Sequence, residues 1–395
     1  MRRAVPDGGG SRPPFTFETV ATDGDARAGV LHTPRGPVAT PTFMPVGTQG
    51  AVKTLLPAEV RATGAQIVLG NTYHLWLRPG PEVVAAHGGL HGFSHWDGPM
   101  LTDSGGFQAF SLDDKCKRSE DGFTFRSHLD GSRHHLSPEE AMRVQRALGA
   151  DIAMQLDVCP PGGASASEVE DAVATTTRWA RRCLTAKREA DERFGPDGQG
   201  LFGIVQGGTD TRLRRAHADE LAGLEVGGRR FDGIALGGCS VGEPIAAMHA
   251  VVAAVAPHMD PQRARYLMGV GKPRDLVVGI GSGIDMFDCV LPTRNGRNGH
   301  ILTRRGRIVI RHARYRTDRE VLEPGCRCLA CAGGFSRAYL RHLFMSREIL
   351  AMRLFTHHNL VVYGDLVHEA RCAILAGRFD AFRTEALARW ASPPA

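Results

Sequence analysis

Short runs of apolar and β-branched residues recur along the chain, most of them separated by stretches with helical spacing. Eight such runs are read as strands: residues 42–46, 66–70, 100–102, 152–156, 201–205, 233–236, 266–268 and 286–287. Strands that alternate with helices imply a parallel sheet. Between them, Ser137-Pro-Glu-Glu140 reads as a capping box with Pro at the first helical position, opening a helix over 139–148. A second amphipathic stretch covers about 167–190. Eight strands point to an α/β fold of the (β/α)8 TIM-barrel type rather than an open doubly wound sheet.

The strand ends carry the first chemical signal. Nearly every run is followed by glycine or a polar group: Gly47, Asn71, Asp103, Asp157, Gln206, Gly237, Gly269 and Asp288. In a barrel these ends converge on one mouth, where active sites are built. A single Asp or Gln there is explained by a turn or a helix cap; five amides and carboxylates at five strand ends, with glycines beside them, describe a pocket.

With 395 residues, 42% of them hydrophobic, the chain can bury one large core or two ordinary ones, as a globular soluble protein does. Its apolar runs, such as 249–256, are far shorter than the ~20 residues a membrane span requires. The start, 1–14, opens with the arginine pair Arg2 and Arg3 and has no apolar segment behind them, so it reads as a flexible tail and not a secretory signal. A cytoplasmic location is the resulting expectation. Net charge is only +6 but uneven: Arg294, Arg297, Arg304, Arg305, Arg307, Arg311, Arg314 and Arg316 fall in 289–317 without one acid. That density suits a nucleic-acid backbone, and equally a solvated edge strand and turn.

Nine cysteines, an odd number, argue against a disulfide framework. Three of them, Cys326, Cys328 and Cys331, lie within six residues, and His357-His358 follows a helix-like segment. Three sulfurs and one nitrogen make a closed tetrahedral zinc site that staples a small subdomain and leaves no position for a reacting water. Spacing leaves His357 and His358 as equal candidates. A zinc hydrolase would need histidines and carboxylates at the strand ends, and no such set lines them; His74 reads as a packed histidine.

The last strand run delivers Asp288, and Pro292-Thr-Arg294 and Arg297 follow in what reads as a Gly-containing turn. A carboxylate at the end of a buried strand is poorly solvated and rigidly placed, so it suits a nucleophile; two arginines three apart offer planar forks to a polyanion. Each residue alone fits a basic loop beside a structural acid. The set couples a nucleophile to a phosphate-binding surface.

Taken together, Asn71-Thr-Tyr-His-Leu75, Thr102-Asp-Ser-Gly-Gly-Phe-Gln108, Gly203-Ile-Val-Gln-Gly-Gly208, Tyr266-Leu-Met-Gly-Val-Gly271, the Asp288 run and the cysteine–histidine set resemble the bacterial-type tRNA-guanine transglycosylases, or queuine tRNA-ribosyltransferases. The likeness covers about Phe15 to about Phe382. It implies a barrel over 15–321 and 376–388, a zinc subdomain over 322–375, tails at 1–14 and 389–395, and a homodimer acting on tRNA. By this resemblance Asp288 is the nucleophile at C1′ of the wobble guanosine, and Asp103 the general acid/base. Asp157, Gln206 and the Gly238 backbone bind the purine edge, and Phe107 and Met268 sandwich its faces. Lys272, Arg294 and Arg297 contact the RNA. The zinc histidine of the family precedes Asn, which selects His358 over His357.

Several positions depart from the family pattern: Phe107 stands for the usual Tyr, Val158 for Glu, and Cys239-Ser240 for Leu-Ala. The missing acid at Val158 leaves either Glu243 to act alone in setting a peptide near Gly238, or a different preferred base. Val241 and Cys159 follow the bacterial pattern, so 7-aminomethyl-7-deazaguanine is the expected incoming base and queuine the alternative. Two other readings compete. A non-catalytic tRNA-binding relative would not need Asp103 and Asp288; a barrel glycoside hydrolase would explain those acids but not the arginines or the metal cluster.

Overall fold

A computed structural model of the protein describes residues 15–112, 115–304 and 306–391; Arg305 and both expected tails, apart from residues 389–391, lie outside them. Eight parallel strands form the central sheet: β1 (Thr42–Pro45), β2 (Val68–Gly70), β3 (Met100–Thr102), β4 (Ile152–Met154), β5 (Gly200–Val205), β6 (Gly233–Leu236), β7 (Ala264–Leu267) and β8 (Met286–Cys289). They run β1-β8-β7-β6-β5-β4-β3-β2, and a parallel bridge between Val46 and Leu69 joins the two ends into a barrel. The Gly47 amide donates to Leu69 O at 2.7 Å across that seam. All eight expected runs are therefore strands; 100–102 and 233–236 match to the residue, and the ends of the others shift by one to two residues.

Their sequences read as unbroken apolar runs because both faces are covered. The barrel interior holds Met44, Leu69, Leu101, Met154, Phe202, Ile204 and Met286, all buried; the outer faces pack on the helices through a second, larger cluster that includes Phe287, Leu236 and Leu276. A fully buried Leu or Ile contributes about 2 kcal/mol relative to exposure. An antiparallel sheet of Thr16–Asp23, Ala26–Thr33 and Gly36–Thr40 places Leu31 and Val38 in the barrel interior cluster. There Arg27 and Asp285, both buried, form an ion pair just before β8. Among the described residues no helix is long and apolar enough to cross a membrane.

The helix Pro138–Leu148 starts as expected, with the Ser137 hydroxyl accepting from the Glu140 amide at 3.1 Å. Only that half of the box forms, because Glu140 instead takes both forks of Arg143 at 2.8 Å. The full box sits elsewhere, between Ser165 and Glu168 at the head of Ala166–Phe194. The stretch read as a turn after Asp288 is a helix, Leu291–Arg297, with Pro292 in its first turn. Its interior Gly296 permits close packing: a Cβ there would meet the Thr356 amide nitrogen at 2.8 Å.

Thr356 belongs to the helix Ile349–Leu375, which anchors the C-terminal part. A third apolar cluster gathers Ile301 and Ile308 of a short hairpin with Leu340, Leu354 and Phe355. On the same helix, the Asn359 side chain accepts from the Leu302 amide at 2.9 Å and donates to Pro292 O at 2.9 Å and His300 O at 3.1 Å. This one residue binds that helix to the chain that follows β8.

Candidate active site

At the C-terminal ends of the strands lies a cavity of about 710 Å3. Its walls bring together Asp103, Phe107, Asp157, Gln206, Gly238, Met268, Lys272, Asp288 and Arg294. Arg297 sits one helical turn beyond Arg294 and is not part of the lining. A more open recess of about 840 Å3 at the other end of the barrel is lined by Arg27, Arg263 and Arg265 with Asp25 and Asp232. The barrel strands reach it only with their N-terminal ends. Convergent polar groups of uneven protonation mark the mouth instead.

Asp288 is the third residue of β8, in register with Met44 of β1. Its Oδ1 accepts from the Tyr266 hydroxyl at 2.6 Å and from the Gly269 amide at 2.7 Å. Burial raises its pKa, and these two donors oppose the rise. Tyr266, fully buried and facing this carboxylate, is itself pushed well above the ordinary phenol range and so remains a donor.

Asp103 follows β3 and is gripped on three sides. Its Oδ2 accepts from Asn71 Nδ2 at 2.6 Å and Gln108 Nε2 at 2.9 Å, and its Oδ1 from the Thr72 amide at 2.7 Å. Burial nevertheless lifts its pKa to about 6, and the nearby charge of Asp288 adds to the lift. The two acids thus differ: one carries two donors on a single oxygen, and the other holds its proton close to neutrality.

On the facing strands, Asp157 Oδ2 accepts from Gln206 Nε2 at 2.7 Å, and burial puts Asp157 at about 6 as well. Gln206 Oε1 is buried and has no partner among the described residues. It lies against Gly238, which has a φ of +60° and whose Cβ, if present, would stand 2.6 Å from that oxygen. A side chain there would close the cavity at its polar wall, and the backbone conformation itself favours glycine. Phe107 is 48% exposed and Met268 is partly buried, so both offer apolar faces to the opening. Exposed Lys272 and Arg294 stand at the rim. Of the other arginines in the basic run, Arg304 is paired with Glu369 and does not stand free.

In the C-terminal part, Cys326, Cys328, Cys331 and His358 bring their ligand atoms within 4.8 Å of one another. His358 Nδ1 lies 3.6, 3.2 and 3.7 Å from the three sulfurs. Tetrahedral zinc with ordinary bond lengths would set sulfur and nitrogen about 3.6 Å apart. The other ring nitrogen, Nε2, contacts Leu302 O at 2.7 Å and must donate, which leaves Nδ1 bare as a ligand. His357 turns away, its Nδ1 accepting from the Leu329 amide at 3.4 Å. The cluster can hold a metal ion.

Sequence reasoning gave no role to several groups that shape this site. Asn71 and Gln108 sat inside quoted motifs, and their grip on Asp103 had a signal in their spacing on either side of it. Tyr266 likewise lay inside a quoted motif without a role of its own. Arg214, on the helix Thr211–Gly223, gave no signal at all.

The protonation of Asp157 has a measurable consequence. Its pKa in the folded chain, about 6, exceeds the ordinary 3.8, so the folded state binds the proton more tightly than the unfolded one. Through this group stability therefore falls as pH rises from about 4 to about 6, stays at the lower level above that window and no longer varies with pH on either side of it. Asp157→Asn, which keeps an acceptor for Gln206, should melt higher than the parent at pH 8, by up to about 3 kcal/mol, with the gap closing near pH 4. Thermal melts across pH test this; an equal gap at both ends would refute it.

A family model described as Queuine tRNA-ribosyltransferase matches residues 23–392. A queuine tRNA-ribosyltransferase of Sorangium cellulosum is 66% identical over 94% of this chain and 91% of its own. Proteins of the same name from Solidesulfovibrio magneticus and Pelotomaculum thermopropionicum are 53% and 54% identical, covering 94% and 95% of this chain and 97% and 98% of theirs. Matched over nearly its whole length, this chain belongs to the queuine tRNA-ribosyltransferase family.

Proposed function

We propose that the protein exchanges guanine at the wobble position of tRNA for 7-aminomethyl-7-deazaguanine by double displacement through a ribosyl-Asp288 ester. The observation that carries this is the pair of mouth carboxylates in unlike settings, facing a polar wall shaped for a planar heterocycle. Tyr266 and Gly269 hold Oδ1 of Asp288, so Oδ2 attacks C1′. The C1′–N9 bond breaks as the C1′–O bond forms, and guanine departs with the electron pair while Asp103 supplies a proton. In the second half the incoming base attacks C1′ through N9, Asp103 takes the N9 proton, and the ester bond breaks to restore the Asp288 carboxylate. Two inversions retain the configuration at C1′, as in retaining glycosidases.

Asp157, Gln206 and the Gly238 amide bind the base edge, and a wrong base leaves them unpaired. Phe107 and Met268 cover its faces. The reacting nucleotide must leave its stack, which costs little in a single-stranded anticodon loop. Lys272, Arg294 and Arg297 hold the flanking RNA. Glu243 Oε2 accepts from the Val241 amide at 3.0 Å, which makes Glu243 the acid that acts on this segment, since buried Val158 offers no charge. Zinc is the ion suited to the closed cysteine–histidine set, in a structural role. The working form is a homodimer in the cytoplasm, where its tRNA substrate resides.

Incubating the protein with tRNA and labelled guanine, then offering guanine, the aminomethyl base, the cyano base and queuine in competition, tests this reading. Label should enter at the wobble position, and the aminomethyl base should displace it best. Folded, metal-loaded protein that binds tRNA without exchange would be a binding relative and not an enzyme.

A further inference from the structure

Arg214 is fully buried, among the largest side chains so placed, and no ion pair links it to a carboxylate among the described residues. Its guanidinium donates only to backbone carbonyls. Nε reaches Gly208 O at 2.7 Å, Nη1 reaches Val205 O at 3.2 Å and Gly237 O at 2.9 Å, and Nη2 reaches Gly238 O at 3.2 Å. Two of these carbonyls belong to successive peptides in the wall of the candidate active site.

A trans peptide points its C=O and N–H in opposite directions. With Gly237 O and Gly238 O drawn to one guanidinium, the amides of Gly238 and Cys239 are turned to the other side. Neither amide donates to any backbone or side-chain acceptor among the described residues. Two adjacent free N–H groups form a small anion-accepting concavity, and here a buried cation stands directly behind it. The unpartnered Gln206 Oε1 lies beside it.

We infer that Arg214 is a positioning residue: it orients the Gly238 and Cys239 amides toward the exocyclic C6 oxygen of a guanine-type base and supports the charge that oxygen takes up. This rests on the proposed base-exchange reading. As the C1′–N9 bond breaks, the electron pair left on the purine is delocalised onto that oxygen, so donors fixed beforehand favour departure at no reorganisation cost. A residue that merely packed the barrel would be indifferent to which base is bound.

The response to Arg214→Lys of guanine binding and of binding by 2-aminopurine, which lacks the C6 oxygen and with it the N1–H, separates the two roles. By calorimetry, the parent protein should prefer guanine by about 100-fold or more. In Arg214→Lys, guanine affinity should fall by about 30- to 100-fold and 2-aminopurine affinity by less than about 3-fold, so that the preference collapses. Equal weakening of both bases would assign Arg214 a structural role and overturn the inference. If the Lys variant does not accumulate as folded protein, the unaltered protein carries the test: with 15N-cysteine labelling, guanine should move the Cys239 amide resonance downfield and 2-aminopurine should not. A Cys239 resonance indifferent to both overturns it. Parent protein that shows the Arg214-dependent preference yet exchanges no base into tRNA would contradict the functional reading alone.

Discussion

Asp288→Asn should bind tRNA almost as the parent does, form no covalent RNA adduct, and exchange base at least about 10^4-fold more slowly. The carboxamide keeps an oxygen for the Tyr266 hydroxyl and the Gly269 amide, so the geometry at the end of β8 survives. What it loses is the second oxygen as a nucleophile. Removing a carboxylate whose pKa burial has already raised should not harm folding. Denaturing gels of protein mixed with tRNA provide the measurement. An adduct in the variant would move the nucleophile elsewhere, and Asp103 would be the first place to look.

The second large effect concerns the metal cluster. Cys328 is completely buried and lies 3.2 Å from His358 Nδ1, so no solvent group can replace it as a ligand. Cys328→Ala should abolish metal retention and cost several kcal/mol, out of the ~10 kcal/mol that a closed zinc site of this type contributes to folding. Elemental analysis should give no bound metal, and the melting temperature should fall well below that of the parent. A variant that loses metal and melts unchanged would deny the site its structural role. Exchange should fail along with stability, because Asn359, next to the ligand His358, holds the backbone around Leu291–Arg297.

The barrel was readable because parallel strands buried on both faces leave contiguous apolar runs, each closed by a polar residue or glycine. The ends were less readable: 66–67 looked like strand, yet pairing begins at Val68, where Met100 becomes its partner. The helix Leu291–Arg297 was hidden because seven residues are too few to show a period and Gly296 reads as a breaker. Only its contact with the helix Ile349–Leu375 makes glycine the fitting residue. The mouth acids were legible by position, whereas their protonation depends on partners distant in sequence, such as Asn71 for Asp103. His358 could be chosen over His357 by resemblance; the hydrogen bond to Leu302 O supplies the physical reason. Arg214 carried no reading in the sequence, and nothing in its neighbours announced that four carbonyls would surround it.

Asn359 addresses backbone groups of Pro292, His300 and Leu302 from a single side chain. Chimeras between relatives inherit a constraint from this. A crossover between 303 and 348 would join one parent's helix Ile349–Leu375 to the other parent's post-strand segment, and small differences in spacing would misalign Arg294 at the rim and Arg297 behind it. A junction before Leu291 transfers segment and helix together, and should yield active hybrids far more often.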